Sequence, residues 1–411
     1  MKKHLLAASL LLSAVTSFGG AYQINLEGLR EVAMGGTGTA WPWDASTIFY
    51  NPGGLARLKG IQAYVSMSVI MPGTSFSNQN QSGTTPTNIT AQSRTFTPFN
   101  IYVGGPVQEG SRIALGLGVY TPAGAGLTWD NNWIGNQMVQ SITLQAISFQ
   151  PTISYRISDF LSIGAGFVYT TGTLDFTESL PIQDMTGTAG SAKLHGNADG
   201  VGFNAGAQMK FSDNLQVGVS YRSQVNMSVS GGSAQFSVPT SLRDSFPNTR
   251  FDSQLPLPQV ASIGVGYRTG NWTLQLDLNY TGWNSFDSLR FNFNQHTSLL
   301  QDNHQPRHYH NTLAPRIGAN YKLSKVISFM AGAAYDPTPV ANGFVSPDLP
   351  DQDRIVLTCG MSIKPLPRLT ILAAFEATDG IKRAASYNAG GFPGTYKTEA
   401  GTPGIGLYYN F

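Results

Sequence analysis

The chain has 411 residues, and its formal net charge at pH 7 is +2. Charged residues make up 12% of the chain, about half the share usual in soluble proteins. The nearly balanced charge gives no basis for a nucleic-acid partner, and the slightly negative mean hydropathy excludes a bundle of membrane helices. Few charges combined with many Gly, Asn, Ser and Thr residues are typical of a membrane β-barrel, which is apolar outside and polar inside.

The first residues have the pattern of a secretory signal peptide. Two lysines precede an apolar run over residues 5–15, and the small residues Ser17 and Gly19 supply the recognition pair for cleavage. We therefore predict a signal peptide over residues 1–19 and a mature chain that begins near Gly20. No later segment reaches the roughly 18 apolar residues of a spanning helix. An exported chain with lipid-facing strands belongs in the outer membrane of a Gram-negative bacterium.

Alternating apolar and polar residues predict lipid-facing strands. The clearest run extends from Trp272 to Tyr280, where every even position is apolar and every odd position is polar. The chain also ends in such a run, with apolar side chains at alternate positions up to Phe411. We count about 14 strands and predict an all-β fold, a transmembrane antiparallel β-barrel over residues 61–411 that crosses the membrane many times.

The lengths of the connectors between the predicted strands indicate how the barrel is oriented in the membrane. Tight turns are predicted at Ser158-Asp159, Ser212-Asp213-Asn214, Thr269-Gly270 and Ser324-Lys325. Longer polar connectors are predicted near residues 72–92, 121–139, 178–192, 230–255, 294–308, 336–352 and 379–396. Short periplasmic turns that alternate with long extracellular loops would place both ends of the barrel at the periplasm.

Residues 20–60 differ from the rest because glycine and proline interrupt them too often for strands. They include Trp41-Pro42-Trp43 and Asn51-Pro52-Gly53. A barrel of about 14 strands encloses more space than its own side chains fill. We therefore predict that this segment folds as a plug, or hatch, inside the lumen. A disordered periplasmic tail is the alternative, and the apolar content of the segment argues against it.

Several motifs in the chain resemble those of one membrane-protein family. The segment Asp44–Leu55 resembles a plug signature that usually ends in Asn-Pro-Ala, where this chain has Asn51, Pro52 and Gly53. The most specific motif is Asp336–Val340 followed by Pro350–Arg354. Other segments that match are Gly20–Asn25, Tyr221–Val225 and Tyr280–Phe286. On these motifs the chain resembles the FadL-type (OMPP1/FadL/TodX) outer-membrane transporters of long-chain fatty acids and other hydrophobic compounds.

The resemblance implies both a fold and a transport route. It implies a 14-stranded barrel with an N-terminal hatch, capture of the ligand at the extracellular loops and an interior apolar pocket. It further implies exit sideways through the barrel wall at a kinked third strand, here near residues 113–120, by passive diffusion gated by the N-terminus of the plug. The resemblance implies a second basic pocket residue near Thr170, and this chain has none there. Its connector at 178–192 is also shorter than in the fatty-acid transporters. The cargo is therefore either a fatty acid or another hydrophobic compound.

A carboxylate head group would be held best by a buried cation. Alternation places Arg316 on the lumen side. The same alternation, continued back past Pro315, places His310 on that side too. The resemblance implies a basic residue near this point that helps to hold the ligand. We predict that His310 and Arg316 contribute to the polar end of the binding site, with a general hydrogen-bond network in the lumen as the alternative. No carboxylate or thiol lies at metal-ligand spacing from the histidines, so no metal is expected.

The connector near residues 121–139 is the most apolar of the predicted loops. It carries Trp129 and Trp133 together with other large apolar residues. We predict that Trp129 and Trp133 take part in the initial capture of the ligand. Packing of the two indoles over the mouth of the barrel is the alternative.

Two other classes of function compete with hydrophobic transport. A porin for polar solutes would need an open water channel, and the predicted plug argues against one. A hydrolase would need a nucleophile, a base and an orienting group, and no motif supplies the set. We therefore expect no enzyme activity, no cofactor and a monomer whose partners are a hydrophobic small-molecule ligand and outer-membrane lipid.

Overall fold

The computed structural model describes residues 20–78, 87–183, 187 and 189–411. The signal peptide predicted for residues 1–19 lies outside this part of the chain. Fourteen antiparallel strands in the described residues close into a barrel, which confirms the predicted fold class. They are β1 (Gln62–Ser68), β2 (Phe99–Pro106), β3 (Ile113–Thr128), β4 (Ser141–Arg156), β5 (Leu161–Gln183), β6 (Ala189–Lys210), β7 (Leu215–Arg222), β8 (Val260–Thr269), β9 (Trp272–Thr281), β10 (Thr312–Lys322), β11 (Ile327–Asp336), β12 (Arg354–Leu366), β13 (Leu369–Gly380) and β14 (Phe392–Asn410).

Each wall strand pairs with its neighbours in sequence, and β1 closes the ring by pairing with β14. Gln62 lies opposite Asn410 at this seam, and Ser68 lies opposite Gly404. The start of β1 and the end of β14 therefore lie on the same side of the membrane as the tight turns. A closed ring leaves no free strand edge among the lipid chains, where water could not satisfy the backbone.

Seven further segments extend the wall above the membrane. Most of them continue a wall strand after a short interruption, as Val225–Ser237 continues β7 and Ser288–Phe293 continues β9. The others are Met71–Ser77, Asn88–Thr90, Thr249–Leu257, Asn303–Pro306 and Arg383–Tyr387. The connectors predicted near 72–92 and 230–255 were therefore too long. Beyond the lipid both faces of a strand accept polar residues, so the alternating pattern that marks a strand is lost.

The outer face carries a band of exposed apolar side chains between two aromatic rings. In β9, Leu274, Leu276 and Leu278 are exposed while the residues between them are buried. Trp272 and Tyr280 end this row. The eight residue steps between them span roughly 20 Å in a tilted strand, close to the ~25 Å height of an outer-membrane apolar band. Aromatic pairs continue the lower ring, among them Phe160–Phe211, Trp272–Tyr321 and Tyr409–Phe411.

The lumen is occupied by the N-terminal residues. They form two short helices, α1 (Leu29–Ala33) and α2 (Thr47–Tyr50), and a 3₁₀ helix at Pro52–Arg57. Short 3₁₀ helices also occur at Thr240–Leu242, Trp283–Ser285 and Asn388–Gly390. Among the described residues, none of the helices is long and apolar enough to cross a membrane. Apolar side chains of α1 and α2 pack with lumen-facing tyrosines of β1, β2 and β3 in one buried cluster, so the segment packs against the inner wall.

Candidate functional site

The signature residues Asn51, Pro52 and Gly53 contact the barrel wall directly. Asn51 Nδ2 donates a hydrogen bond to the Ala207 carbonyl oxygen at 3.0 Å, and Asn51 Oδ1 accepts the Gly53 N–H at 3.1 Å. A Cβ atom on Gly53 would lie 2.9 Å from the Gly206 carbonyl oxygen. Glycine at this position therefore lets the 3₁₀ turn approach the wall without displacing it.

Polar wall side chains hold the backbone of the glycine-rich part of the plug. Asp277 Oδ2 accepts the N–H groups of Gly38 and Thr39, both at 2.9 Å. From the neighbouring strand, Arg316 Nη1 donates to the Gly35 carbonyl oxygen at 3.2 Å. The wall thus supplies hydrogen-bond partners that a buried irregular backbone lacks within itself.

The third strand, β3, is interrupted by a bulge. Its pairing with β4 shifts register between Tyr120 and Ala123, where Thr121 and Pro122 together oppose Ile147. On its other edge the pairing of β3 with β2 stops at Tyr120. An extra residue bends a strand, and proline has no N–H for a ladder bond. Above the bulge β3 therefore separates from the chain that leads into β2.

The chain that leads into β2 stays with the first strand instead. Ile70 and Phe96 exchange two backbone hydrogen bonds of 2.8 and 3.1 Å, so the wall parts between Phe96 and β3. The Phe96 ring reaches across this gap and packs on Gly126 of β3, where it leaves no room for a Cβ atom. One aromatic side chain therefore spans a gap that, within the described residues, begins above Tyr120 and ends where the Gln92 N–H donates to the Thr128 carbonyl oxygen at 2.8 Å.

The start of the plug lies along the free edge of β3. The Ile24 N–H donates to the Pro122 carbonyl oxygen at 3.1 Å, and the Gly124 N–H donates to the Tyr22 carbonyl oxygen at 3.0 Å. The buried Tyr22 ring packs edge-on against Trp283, with ring centroids 5.0 Å apart. The N-terminal residues thus join the bulge to the aromatic cluster under the extracellular loops.

A cavity of about 540 Å³ lies beside this gap, within the size range of small-molecule sites. Plug residues 23–26 line one side, and residues 95–99 and 123–127 from the two edges of the gap line another. Across the cavity lie charged wall residues that include Arg316 and Glu376. The cavity therefore connects the charged interior of the barrel with the interrupted part of its wall.

Arg316 faces the lumen, as the alternation predicts, and it is buried against the cavity. Its side chain contacts the plug through the bond to Gly35 described above. Within the described residues, no carboxylate oxygen lies within 4 Å of its guanidinium, whereas Arg354 has Asp336 at 3.5 Å and Asp351 at 3.7 Å. Arg316 is thus a buried cation at the cavity wall that forms no ion pair within 4 Å in the described residues, and the more distant Asp277 and Glu376 carboxylates interact with its charge.

His310 occupies a different place. Its backbone N–H donates to the carbonyl oxygen of Pro339, in the loop that connects β11 and β12, at 2.9 Å. Partial burial and the neighbouring Arg383 lower the pKa of the imidazole, which favours its neutral form. In the described part of the chain the cavity lining includes Arg316 but not His310. The prediction that these two residues act together therefore stays a prediction.

Trp129 and Trp133 are both buried under the extracellular loops. Their rings stack with centroids 4.5 Å apart and planes inclined by 17°. Trp129 Nε1 donates to the Pro347 carbonyl oxygen at 3.1 Å, and Trp133 Nε1 donates to the Val139 carbonyl oxygen at 2.7 Å. This geometry favours the alternative of packing over the mouth, and capture by the two indoles stays a prediction.

One group at the gap was not among the predicted site residues. Arg222 of β7 donates to the Tyr120 hydroxyl at 2.6 Å and to the Phe49 carbonyl oxygen at 2.9 Å. Its guanidinium also lies 4.1 Å from the centre of the Phe49 ring. Alternation indicates that Arg222 faces inward, but its partners come from the plug and from β3, which no local pattern reveals.

These features define a class of protein, an outer-membrane β-barrel whose lumen is occupied by its own N-terminal segment. The model of the family described as outer membrane protein transport protein (OMPP1/FadL/TodX) matches residues 10–411. The chain belongs to this family, and it is an outer-membrane protein.

Relatives in sequence match over most of their lengths. The 47 kDa outer membrane protein of Pasteurella multocida is 24% identical over 446 residues, which covers 99% of this chain and 98% of that protein. The long-chain fatty acid transport protein of Escherichia coli K12 is 21% identical, with 87% of each chain covered.

Solved structures share the fold. A Pseudomonas aeruginosa FadL homologue matches with a TM-score of 0.81 at 21% identity, over 95% of this chain and 100% of that chain. The Pseudomonas putida toluene transporter TodX matches with a TM-score of 0.73 at 16% identity, over 93% of this chain and 98% of that chain. At these identities the likeness shows the fold alone.

Proposed function

We propose that this protein carries hydrophobic small molecules across the outer membrane, by capture at the extracellular loops, passage into the cavity and exit sideways through the wall. The observation that supports this route most directly is the cavity whose lining includes both edges of the gap between β2 and β3. A hydrophobic molecule gains nothing from entering a watery periplasm, because apolar surface is more stable in lipid than in water. A side exit at the level of the membrane suits such cargo.

The position of the gap along the wall fits this route. Val119 of β3 lies opposite Phe149, and Phe149 pairs with Tyr169 in the upper aromatic ring. The bulge at Thr121 and Pro122 begins directly above this level. Cargo that passes the Phe96 ring would therefore reach the upper edge of the apolar band, where an amphipathic molecule can place its polar end in the headgroup layer.

The plug supports hydrophobic transport over porin function. The plug is hydrogen-bonded to β6 through its own Asn51 side chain and to β9 and β10 through Asp277 and Arg316 of the wall. A porin keeps a water-filled channel open, whereas here buried helices pack across the lumen. Polar solutes would meet this barrier on a straight path, and a side exit would not serve them.

We further propose that the cargo includes molecules with one anionic end. Arg316 presents a buried cation to the cavity, and a charge-assisted hydrogen bond is roughly twice as strong as a neutral one. The names of relatives include transporters of long-chain fatty acids and of toluene, so both acidic and neutral cargo occur among similar proteins. The carboxylates around the cavity, among them Asp336 and Glu376, would disfavour a second anionic group on the same ligand.

The test is uptake by cells that lack their own members of this family. Expression of this chain should raise the initial uptake of radiolabelled oleate or toluene several-fold over cells with empty vector, while uptake of a labelled disaccharide stays at background. Planar-bilayer recordings of the purified protein should show no large steady current. Disaccharide uptake and steady currents without any gain in hydrophobic uptake would favour the porin instead.

A further inference from the structure

Two neighbouring tight turns carry an unbalanced positive charge. The turn between β10 and β11 holds Lys325, with Lys322 at the end of β10, and the turn between β12 and β13 holds Arg368, with Lys364 near the end of β12. All four side chains are exposed, and residues 322–326 and 364–368 include no aspartate or glutamate. The Lys364 N–H donates to the Val326 carbonyl oxygen at 2.8 Å, so the four cations share one continuous surface, the basic patch.

The tight turns on the other side of the barrel are balanced in charge. Lys210 Nζ, for example, lies 2.5 Å from Asp213 Oδ1 beside the turn between β6 and β7. No cation of the basic patch forms an ion pair within 4 Å in the part of the chain that the structure describes. Three turns, those after β2, β4 and β6, each have one cation and one carboxylate, namely Arg112 and Glu109, Arg156 and Asp159, and Lys210 and Asp213.

Two other cations near the basic patch are directed into the plug. Arg268, beside the turn between β8 and β9, has its guanidinium 4.1 Å from the centre of the Trp41 ring. The Arg30 guanidinium of α1 lies 5.1 Å from the centre of the Trp43 ring. These two arginines therefore bind plug indoles and are not part of the basic patch.

Nearby carboxylates do not offset the basic patch. The plug carboxylates Glu27, Glu31 and Asp44 are all buried. The terminal carboxylate of Phe411 lies at the seam between β14 and β1, where the exposed Lys59 precedes β1 with one positive charge. The four cations of the basic patch are thus presented to their surroundings as a net positive surface.

Both turns of the basic patch also present an apolar side chain at the lipid boundary. Leu323 and Leu366 each lie between the two cations of their turn, and they are 53% and 59% exposed. Tyr321 directly precedes the first turn, and its ring packs on Trp272 in the lower aromatic ring of the barrel. Aromatic rings of this kind lie at the level of the lipid headgroups. The leucines are therefore placed for contact with acyl chains and the cations for contact with headgroups.

We propose that the basic patch binds anionic phospholipids of the periplasmic leaflet through their phosphate groups. Neighbouring turns are two strands apart, about 10 Å, so they can contact the phosphates of adjacent lipids. Long lysine and arginine stems reach a headgroup from either face of a strand end. Each cation near an anionic membrane surface strengthens attraction by a factor of about five. A zwitterionic lipid gains less, because its own cationic group opposes the attraction.

The leucines favour a lipid over an acidic protein or an anionic wall polymer. Either of these partners would meet the cations from the aqueous side and would leave Leu323 and Leu366 at the lipid boundary without a role. An anionic phospholipid uses both parts of the surface, with its phosphate at the cations and its chains at the leucines. This proposal does not depend on the cargo or on the side exit.

Trp272 reports on this site without an added label. The chain has six tryptophans, and Trp272 is the one with a largely exposed side chain among the described residues, at 46%. Brominated acyl chains quench indole fluorescence at short range. In phosphatidylcholine vesicles, brominated phosphatidylglycerol should quench wild type more than brominated phosphatidylcholine does. We expect a relative binding constant of at least about five, the contribution of one such cation. Trp272→Phe should remove the difference.

Neutralising the basic patch should abolish this preference. A variant that combines Lys322→Gln, Lys325→Gln, Lys364→Gln and Arg368→Gln should have a relative binding constant of about one. Lys325→Gln with Arg368→Gln alone should lower it several-fold. Arg112→Gln, which removes an exposed cation from the turn between β2 and β3, is the matched control and should keep the wild-type value. Heat-modifiable gel migration identifies the folded fraction of each variant.

Salt gives a test on wild type alone. In 1 M NaCl the Debye length falls to about 3 Å, so most of the preference should be lost. Equal quenching of wild type by the two lipids, or a wild-type preference in the combined variant, would overturn the proposal. A preference that 1 M NaCl leaves unchanged would do the same. Equal quenching together with retention of wild type, but not of the combined variant, on purified peptidoglycan would assign the cations to that polymer instead.

Discussion

Arg222 and Tyr120 join the plug to the wall at the edge of the bulge. The Arg222 guanidinium donates to the Tyr120 hydroxyl at 2.6 Å and, through its other terminal nitrogen, to the Phe49 carbonyl oxygen at 2.9 Å. Tyr120 is the last residue of β3 that pairs with β2. One side chain therefore holds α2 of the plug against the point where the wall begins to part.

Replacing this guanidinium should loosen the plug. Arg222→Gln loses two charge-assisted hydrogen bonds, each worth about 1.5–3 kcal/mol, and Arg222→Lys cannot restore the fork or the stacking on Phe49. We expect both variants to show larger and noisier ion currents in planar bilayers than wild type. Arg250→Gln, an exposed arginine on an extracellular strand, is the matched control. If the currents of Arg222→Lys equal those of wild type, Arg222 does not hold the plug against the wall in this way.

Arg316 and His310 should differ in their effect on acidic cargo. Because Arg316 lines the cavity and His310 does not among the described residues, Arg316→Gln should lower oleate uptake several-fold and leave toluene uptake nearly unchanged. His310→Gln should have little effect, since burial and Arg383 already favour the neutral imidazole by lowering its pKa. The ratio of oleate to toluene uptake measures the effect. An unchanged ratio in the double variant would reject a role for both residues in holding a carboxylate.

Substitutions at Trp129 and Trp133 distinguish packing of the indoles over the barrel mouth from capture of the ligand. Truncating a buried tryptophan costs about 3–5 kcal/mol, so Trp129→Ser or Trp133→Ser should make the extracellular loops sensitive to protease on intact cells even without ligand. Ile134, which is exposed in the same loop, offers a matched control, and Ile134→Ser should keep the loops resistant. If Trp129→Ser or Trp133→Ser leaves the loops resistant but lowers hydrophobic uptake, the indoles act in capture and the packing interpretation is wrong.

We expect Glu31 to make the stability of the plug depend on pH. Burial raises the pKa of its carboxyl from 4.5 to about 8, and the nearby Asp44 adds to the effect. The folded state then binds a proton that the unfolded state releases, so the stability contributed by this group declines as pH rises between these values. We expect the temperature midpoint of heat-modifiable migration to fall from pH 5 to pH 9, and to fall less in Glu31→Gln. Glu109→Gln, in an exposed turn, should keep the wild-type slope.

Much of the membrane-embedded fold follows from local pattern. A strand between lipid and a polar lumen must alternate, as Leu274, Gln275 and Leu276 do, because each face has a different solvent. The same alternation places the side chains of Arg316 and Asp277 in the lumen. Above the membrane this constraint disappears, and residues 230–237 of the segment that continues β7 fall within the connector predicted near 230–255.

The gap and the cavity depend on relationships that a local pattern cannot contain. Pro122 in an alternating run indicates an irregular strand, but the separation of β3 from β2 depends on Phe96 staying with Ile70. The burial of Trp129 likewise depends on Pro347 in a loop more than 200 residues away. Contacts between distant segments fix such positions. The residue type alone predicts that the side chain is apolar, but it does not predict which residue the side chain packs against.

The side exit is tested most directly by the uptake rate of a chain from which Pro122 has been deleted. The deletion leaves Thr121 alone opposite Ile147 and keeps Ala123 facing inward, so β3 can run without a bulge. We expect the folded variant, verified by heat-modifiable migration, to take up radiolabelled oleate and toluene no faster than cells with empty vector. Wild-type uptake by the folded variant would contradict passage through the wall at this point.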